Sequence, residues 1–220
     1  MRVLLLAFDT ATPAITVALH DGAAVLAEST TVDARRTGEL LAPGITAVLD
    51  AAGHKPGELT GIAVGVGPGP FTGLRVGLVT ARALGDSLGI PVHGVCTLDV
   101  VAYQARSAEP FAVATDARRR EVYYAQYADY LTRSTEPDVA HPALIADRLS
   151  GLPVAGEGAV LYSEAFPQAI EPRHPSAAAL AELVVLRLKS DPDSLLFPEP
   201  LYLRRPDAVE PSTRKRVSTG

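Results

Sequence analysis

Cysteine is almost missing from this chain: among 220 residues, Cys96 is the single one. No internal disulfide can form, and no thiolate-rich metal site can be built. Cys96 follows an apolar run, the setting of a small core residue rather than a nucleophile. The five histidines, His20, His54, His93, His141 and His174, include no i, i+4 pair, so the metal-binding helix of a zincin-type hydrolase is missing. There is no Gly-x-x-x-x-Gly-Lys-Ser/Thr loop and no Gly-x-Ser-x-Gly elbow. Long hydrophobic runs are also lacking. The apolar run at 3–8 is too short for a signal peptide or a membrane span and is ended by Asp9, which predicts a cytoplasmic protein with no membrane contact. Positive charge is in deficit, with a formal net charge of -5, which argues against a protein that grips nucleic acid with its whole surface. Basic residues cluster only locally, at Arg118-Arg119-Arg120, Arg204-Arg205 and Arg214-Lys215-Arg216, and solvated surface is the commoner meaning of such clusters.

What is present describes a globular protein. Hydrophobic residues make up 47% and charged residues 20%, and the length suffices for one large domain or two smaller lobes. The densest local signal is Gly65-Val66-Gly67-Pro68-Gly69-Pro70-Phe71-Thr72-Gly73-Leu74-Arg75-Val76-Gly77. A short apolar run at 62–66 reads as a buried strand before it, and a helical pattern over 71–88, closed by Gly89, follows. Glycines let a backbone come close to a neighbour, and free N–H groups at a helix start favour an anion. By itself the stretch fits a phosphate cradle and a tight structural turn equally well. Within the helix, Gly73, Gly77, Ala81 and Gly85 recur every four residues and share one face. An interior glycine costs a helix about 1 kcal/mol relative to alanine, so close approach of another backbone should offset it. Packing within the chain and docking of a partner are the two readings.

The opening of the chain reads as a meander, with strands at 3–8, 15–20 and 24–28, Asp9-Thr10-Ala11-Thr12-Pro13 at the first corner and Asp21-Gly22 at the second. A helix over 38–52 follows, with Leu41, Ile45, Val48, Leu49 and Ala52 on its apolar face. Pro43 starts its regular part or kinks it, and Gly53 ends it. A strand at 91–95 and a helix at 98–106, capped by Thr97, complete the first half. After a linker at 107–110 the opening pattern returns. An apolar strand ends in Asp116, and a second strand at 121–127 puts Val122 and Tyr124 on one face and Tyr123, Ala125 and Tyr127 on the other. A short helix at 141–149, a strand at 152–155 and a helix at 177–189 capped by Ser176 follow, the last with Leu180, Leu183, Val184 and Leu188 apolar. The repetition predicts an α/β chain of two lobes built by duplication: an N-terminal lobe over 1–106, a C-terminal lobe over 107–203 and a polar, flexible tail over 204–220.

A strand-end Asp facing a Gly-rich loop can hold Mg²⁺ or its waters while backbone N–H groups hold phosphate oxygens. Asp9, Thr10 and Thr12 offer the first part, Gly67, Pro68 and Gly69 the second, and Asp116, Gly156 and Gly158 further walls. For one Asp alone, turn capping is the stronger reading. Two at matching places, with the loop, shift the balance to a nucleotide-type cleft, functional or vestigial. No self-contained catalytic constellation accompanies it, and the pairs Glu157/Glu164 and Asp191/Asp193 have the setting of surface charge.

Asp9-Thr10-Ala11-Thr12, the stretch Gly67 to Gly77, Gly94-Val95-Cys96-Thr97-Leu98-Asp99, Thr115-Asp116-Ala117-Arg118-Arg119-Arg120-Glu121-Val122-Tyr123 and Tyr202-Leu203-Arg204 together resemble the TsaB (YeaZ) family, over nearly the whole chain. The resemblance implies the two-lobed actin/Hsp70/sugar-kinase (ASKHA) fold with duplicated mixed-sheet lobes. It implies a part in making threonylcarbamoyladenosine, the modified adenosine next to the anticodon of certain tRNAs. Members of that family are expected to lack catalysis of their own, to pair with a TsaD-type paralogue that carries the metal and transferase site, and to support a TsaE-type ATPase. The paralogue's His-x-x-x-His pair has no counterpart in Arg35-Arg36-Thr37-Gly38-Glu39-Leu40-Leu41, nor does the single His that many TsaB sequences show before Glu39. Docking in that family uses N-lobe helices, which here assigns Leu41, Ile45, Thr72, Gly73, Val76, Gly77, Thr80, Ala81 and Gly85 to the partner interface, with a homodimer when the partner is absent. No cofactor is expected to be required, ATP or ADP with Mg²⁺ would sit only at the complex interface, and tRNA would be met indirectly. An ATP-dependent transferase or kinase of the ASKHA fold, resting on Asp9, Asp116 and the loop, is the alternative. A metallopeptidase, a third reading, has the missing His pair against it.

Overall fold

Leu4, Leu6 and Phe8 point to one side of the first strand, and Leu5 and Ala7 to the other. A strand with apolar residues on both faces has to be covered on both. The computed structural model, which describes residues 3–204, places this strand, β1 (Leu5–Asp9), at the centre of a five-stranded sheet. β2 (Ala14–His20) pairs with it antiparallel, and β3 (Val25–Val32) forms the outer edge, where burial alternates residue by residue at its start. A helix, α1 (Thr37–Ala52), follows. β4 (Gly61–Gly65), α2 (Phe71–Leu88) and β5 (Val92–Val95) come next, and β4 and β5 add to β1 in parallel. The order is β3-β2-β1-β4-β5. α3 (Thr97–Ala105) then leads to the second half.

β6 (Phe111–Asp116), β7 (Val122–Tyr127) and β8 (Asp138–Ala140) repeat the meander. α4 (Pro142–Ile145), β9 (Val154–Ala155), α5 (Glu157–Leu161), β10 (Ala169–Ile170) and α6 (Ala177–Ser190) complete it. The second sheet has the order β8-β7-β6-β9-β10, with three antiparallel strands and then two parallel ones, as in the first. The duplication is therefore in the topology, and Asp9 and Asp116 end equivalent strands.

Each lobe's last helix packs on the other lobe's sheet. Leu98, Val101 and Ala102 of α3 join Phe111, Val113 and Tyr123, while Leu180, Leu183 and Val184 of α6 join Leu5, Ala7 and Ala63. Sequence position thus assigned α6 to the C-terminal lobe, but its apolar face belongs to the N-terminal sheet. Asp99 fastens the crossing: it accepts from Arg133 at 2.9 Å, from the Tyr127 hydroxyl at 3.0 Å and from Arg187 of α6 at 3.0 Å. Removing one partner from so enclosed a charge cluster typically costs about 3 kcal/mol.

The chain then returns across both lobes as an extended strap. Gly94 and Leu196 exchange backbone hydrogen bonds of 2.8 and 2.9 Å, and Leu201 N–H donates to the Val66 carbonyl at 2.9 Å. Arg204 donates to the Ala117 carbonyl at 3.0 Å and pairs with Glu121. Arg204 is thus anchored, whereas the rest of the expected polar tail lies outside the described residues.

Several local expectations change. α1 runs from Thr37 through Pro43, so the proline does not start it. Thr97 does not cap α3, because its hydroxyl is engaged elsewhere. Leu188 is 40% exposed rather than core. Ser176 does cap α6, accepting from the N–H groups of Ala178 and Ala179.

Candidate functional site

The β1–β2 corner, the loop after β4 and the start of α2 converge on Asp9. Its carboxylate is fully buried. One oxygen accepts the Ala11 N–H at 2.7 Å and the other the Thr97 hydroxyl at 2.7 Å. The same Thr97 oxygen accepts the Gly67 N–H at 3.2 Å, and Thr97 N–H donates to the Gly67 carbonyl at 2.7 Å. Gly65 lies directly beneath the carboxylate, where any Cβ would collide with it. Burial holds the Asp9 carboxyl above its ordinary value, against the opposing pull of its Thr97 and Ala11 hydrogen bonds.

The glycines of the loop meet this corner. Gly67 has φ +89, a conformation that favours glycine. A Cβ on Gly69 would strike the Ala11 carbonyl, one on Gly73 would stand 2.6 Å from the Thr10 carbonyl, and one on Gly77 would strike the Thr10 hydroxyl. That hydroxyl donates to the Gly73 carbonyl at 2.8 Å. Thr12 is buried and turns its hydroxyl to the Ala14 N–H. Thr10 and Ala11 thus pack directly on the glycines, and Asp9 behind them is buried.

The other cleft residues stand at the second corner. Asp116 accepts the Arg118 N–H at 2.9 Å and pairs with the Arg118 guanidinium at 3.2 Å. A Cβ on Gly156 would strike the Ala114 carbonyl, and one on Gly158 would stand 2.9 Å from it, so these glycines pack α5 on β6. The set Asp9, Thr10, Thr12, Gly67, Pro68, Gly69, Asp116, Gly156 and Gly158, expected as a vestigial nucleotide cleft, falls at the ends of β1 and β6 and on the loops and helix starts beside them. The residues are brought to two equivalent corners, one at the end of each lobe's first strand. Among the described residues, no three His, Cys, Asp or Glu side chains converge as a metal-holding group.

The partner set divides. Leu41, Ile45, Gly77, Ala81 and Gly85 are buried inside the N-terminal lobe of the isolated chain. Gly85 faces Val92 and the Ile90 carbonyl. Thr72 is exposed, and Gly73, Val76 and Thr80 are half-buried. The division follows from helix geometry. Positions two apart differ by about 200° around the axis, so a small-residue face at 73, 77, 81 and 85 turns 71, 75, 79 and 83 outward.

That outward face was missed in the sequence, although the same spacing gives it. Phe71 is 46% and Val79 65% exposed. Arg75 lies 3.6 Å over the Phe71 ring, the ring stacks on Tyr202 at 5.6 Å, and Arg75 Nε donates to the Tyr202 hydroxyl at 3.0 Å. The strap thus holds an aromatic–guanidinium cluster in place at the start of α2. Exposed aromatic and arginine side chains with fixed rotamers are the composition of interface anchors.

No helix among the described residues is long and apolar enough to cross a membrane. The model of the family described as TsaD, tRNA N6-adenosine threonylcarbamoyltransferase, matches residues 24–176. The uncharacterized protein Rv3421c of Mycobacterium tuberculosis is 46% identical over 208 residues, which cover 92% of each chain. YeaZ from Pseudomonas aeruginosa is 30% identical and superposes with a TM-score of 0.77 over 91% of this chain and 100% of its own. An activator of 2-hydroxyisocaproyl-CoA dehydratase from Clostridium difficile, with bound ADPNP, shares the fold at 8% identity, with a TM-score of 0.50 over 89% of this chain and 99% of its own. The two lobes are those of the ASKHA fold, and the chain belongs to the TsaB (YeaZ) family, whose work lies in the threonylcarbamoyladenosine modification of tRNA.

Proposed function

We propose that this chain is a non-catalytic subunit that docks a TsaD-type transferase through the outer face of α2. The observation that carries this reading is the contrast between the two sides of that helix. Its inner side is spent on packing against Thr10 and Ala11 of the Asp9 corner. Its outer side presents Phe71, Thr72, Arg75 and Val79 to solvent, with Val76 and Thr80 at the margin. The chain requires no cofactor of its own. ATP or ADP with Mg²⁺ belongs to the assembled complex, where a TsaE-type ATPase joins the pair. Alone, two copies pair through the same face, since an isologous contact can use a self-complementary patch.

Reconstitution tests the role. The TsaD-type paralogue, the TsaE-type ATPase, ATP with Mg²⁺ and a threonylcarbamoyl donor are incubated with unmodified tRNA, with and without this chain, and modified adenosine is quantified. This chain alone yields no product, and adding it to the paralogue raises the yield at least tenfold. Modification by this chain without the paralogue would overturn the reading, as would an unchanged rate on adding it.

A further inference from the structure

The β6–β7 hairpin turns through three arginines in succession. Arg118, Arg119 and Arg120 have φ of 61, 55 and 62 and are all exposed. The turn is closed by Ala117 N–H donating to the Glu121 carbonyl at 2.9 Å and Glu121 N–H to the Arg118 carbonyl at 3.0 Å. Side chains other than glycine, asparagine and aspartate rarely adopt this left-handed conformation. Glycine or asparagine would serve the turn better, yet a cation stands at each position. Backbone strain of this kind concentrates where side-chain placement serves a function.

Beside the tip lies a groove of about 490 Å³ lined by His141, Pro142, Ala146, Leu161, Tyr162 and Glu164, among others. Tyr162 links the two features. Its side chain packs against the apolar cluster that contains Val122, two residues beyond Arg120, and burial raises its phenol above the ordinary value. Leu144 and Leu161, at 79% and 49% exposed, add apolar surface nearby.

We propose that the arginine tip and the adjoining Tyr162 groove bind RNA directly, with backbone phosphates on Arg118–Arg120 and a base against Tyr162 and His141. Cations that track phosphates beside an aromatic platform are the two elements of single-strand recognition. The net charge of -5 makes nonspecific attraction elsewhere on the chain weak, so a local cluster stands out. The site lies in the C-terminal lobe, on the hairpin whose Ala117 and Glu121 hold Arg204, two residues beyond the Tyr202 that stacks on Phe71 of α2. This inference rests on the tRNA-modification reading and adds to it a direct RNA contact by this subunit.

The test measures binding of unmodified tRNA transcript by fluorescence anisotropy across a salt series, using the full chain alone and its mixture with the TsaD-type paralogue. Arg118→Asn, Arg119→Asn and Arg120→Asn are combined, because asparagine tolerates the left-handed conformation and keeps the hairpin folded. The combined variant binds at least tenfold more weakly, its slope of log affinity against log salt falls by about 2, and its thermal midpoint stays level or rises. Tyr162→Ala lowers affinity about fivefold or more with the slope unchanged. Equal affinity and slope for wild type and the combined variant would overturn the RNA site, as would no tRNA binding by either preparation. A variant that loses the paralogue while keeping tRNA affinity would make the tip a protein contact and overturn it too. Failure of wild type to pair with the paralogue removes the docking reading separately, since the chain alone still reports on the arginines.

Discussion

Thr10 and Gly77 are in contact across the first lobe: the threonine hydroxyl fills the place of the missing Cβ and donates to the Gly73 carbonyl one turn earlier, at 2.8 Å. The β1–β2 corner is thereby held against α2. A side chain at 77 has to push that corner away. Gly77→Val is expected to destabilise the protein by about 1–3 kcal/mol, read as a lower urea midpoint and a thermal midpoint lower by about 2–4 °C per kcal/mol. Unchanged stability would show that the corner yields freely. Substitution at 77 therefore reports on folding, not on docking.

Asp9 gives a pH signature. Its folded pKa is raised by burial, so the folded state holds the proton more tightly than the unfolded chain does. Between the ordinary value of 3.8 and the raised folded value, the contribution of Asp9 to stability falls as pH rises, and above that window the buried charge is a standing cost. Asp21, Asp33 and Asp129, all held below the ordinary value by local hydrogen bonds, act in the opposite sense at acid pH, so the comparison needs a variant. Asp9→Asn removes the titration. Wild type is expected to gain stability relative to Asp9→Asn as pH falls from 7 into that window, measured by urea midpoints at each pH. A difference that is flat in pH would contradict the assignment.

Cys96 is buried, and burial together with the nearby Asp99 carboxylate pushes its thiol up to about 12. Thiolate is the reactive form. Native protein is expected to leave Cys96 unmodified by a thiol-specific chromogenic reagent at pH 8, with one equivalent released on unfolding in guanidinium. Rapid native labelling would show that the α3 start opens on its own.

Much of the fold was legible in the sequence because its signals are local. The ends of α2 coincide with Phe71 and Leu88, with Gly89 left-handed at the C-terminus, since helical periodicity and a terminal glycine are read from adjacent residues. The repeated strand–Asp–turn–strand pattern announced two sheets of one topology. What was not legible depends on partners far along the chain. Thr97 looks like a helix cap beside Leu98 and only its distant partner Asp9 shows otherwise. The face of α6 does not say which sheet it covers. Gly73, Gly77, Ala81 and Gly85 state that something comes close, but not whether it is the same chain. The chemistry of a strand-end carboxylate is equally silent on what stands before it. The outer cluster depends on Tyr202, whose position on Phe71 is set by the strap.

The most direct test of the account is pairing with the TsaD-type paralogue through the outer face of α2, measured by size exclusion with light scattering on purified proteins. Wild type and Asp9→Asn are expected to form the heterodimer equally, while Val79→Glu, a change at a side chain 65% exposed in the isolated chain, weakens it at least tenfold without lowering the thermal midpoint. A heterodimer that tolerates Val79→Glu, Phe71→Ala and Arg75→Ala alike, or no heterodimer with wild type, would contradict it.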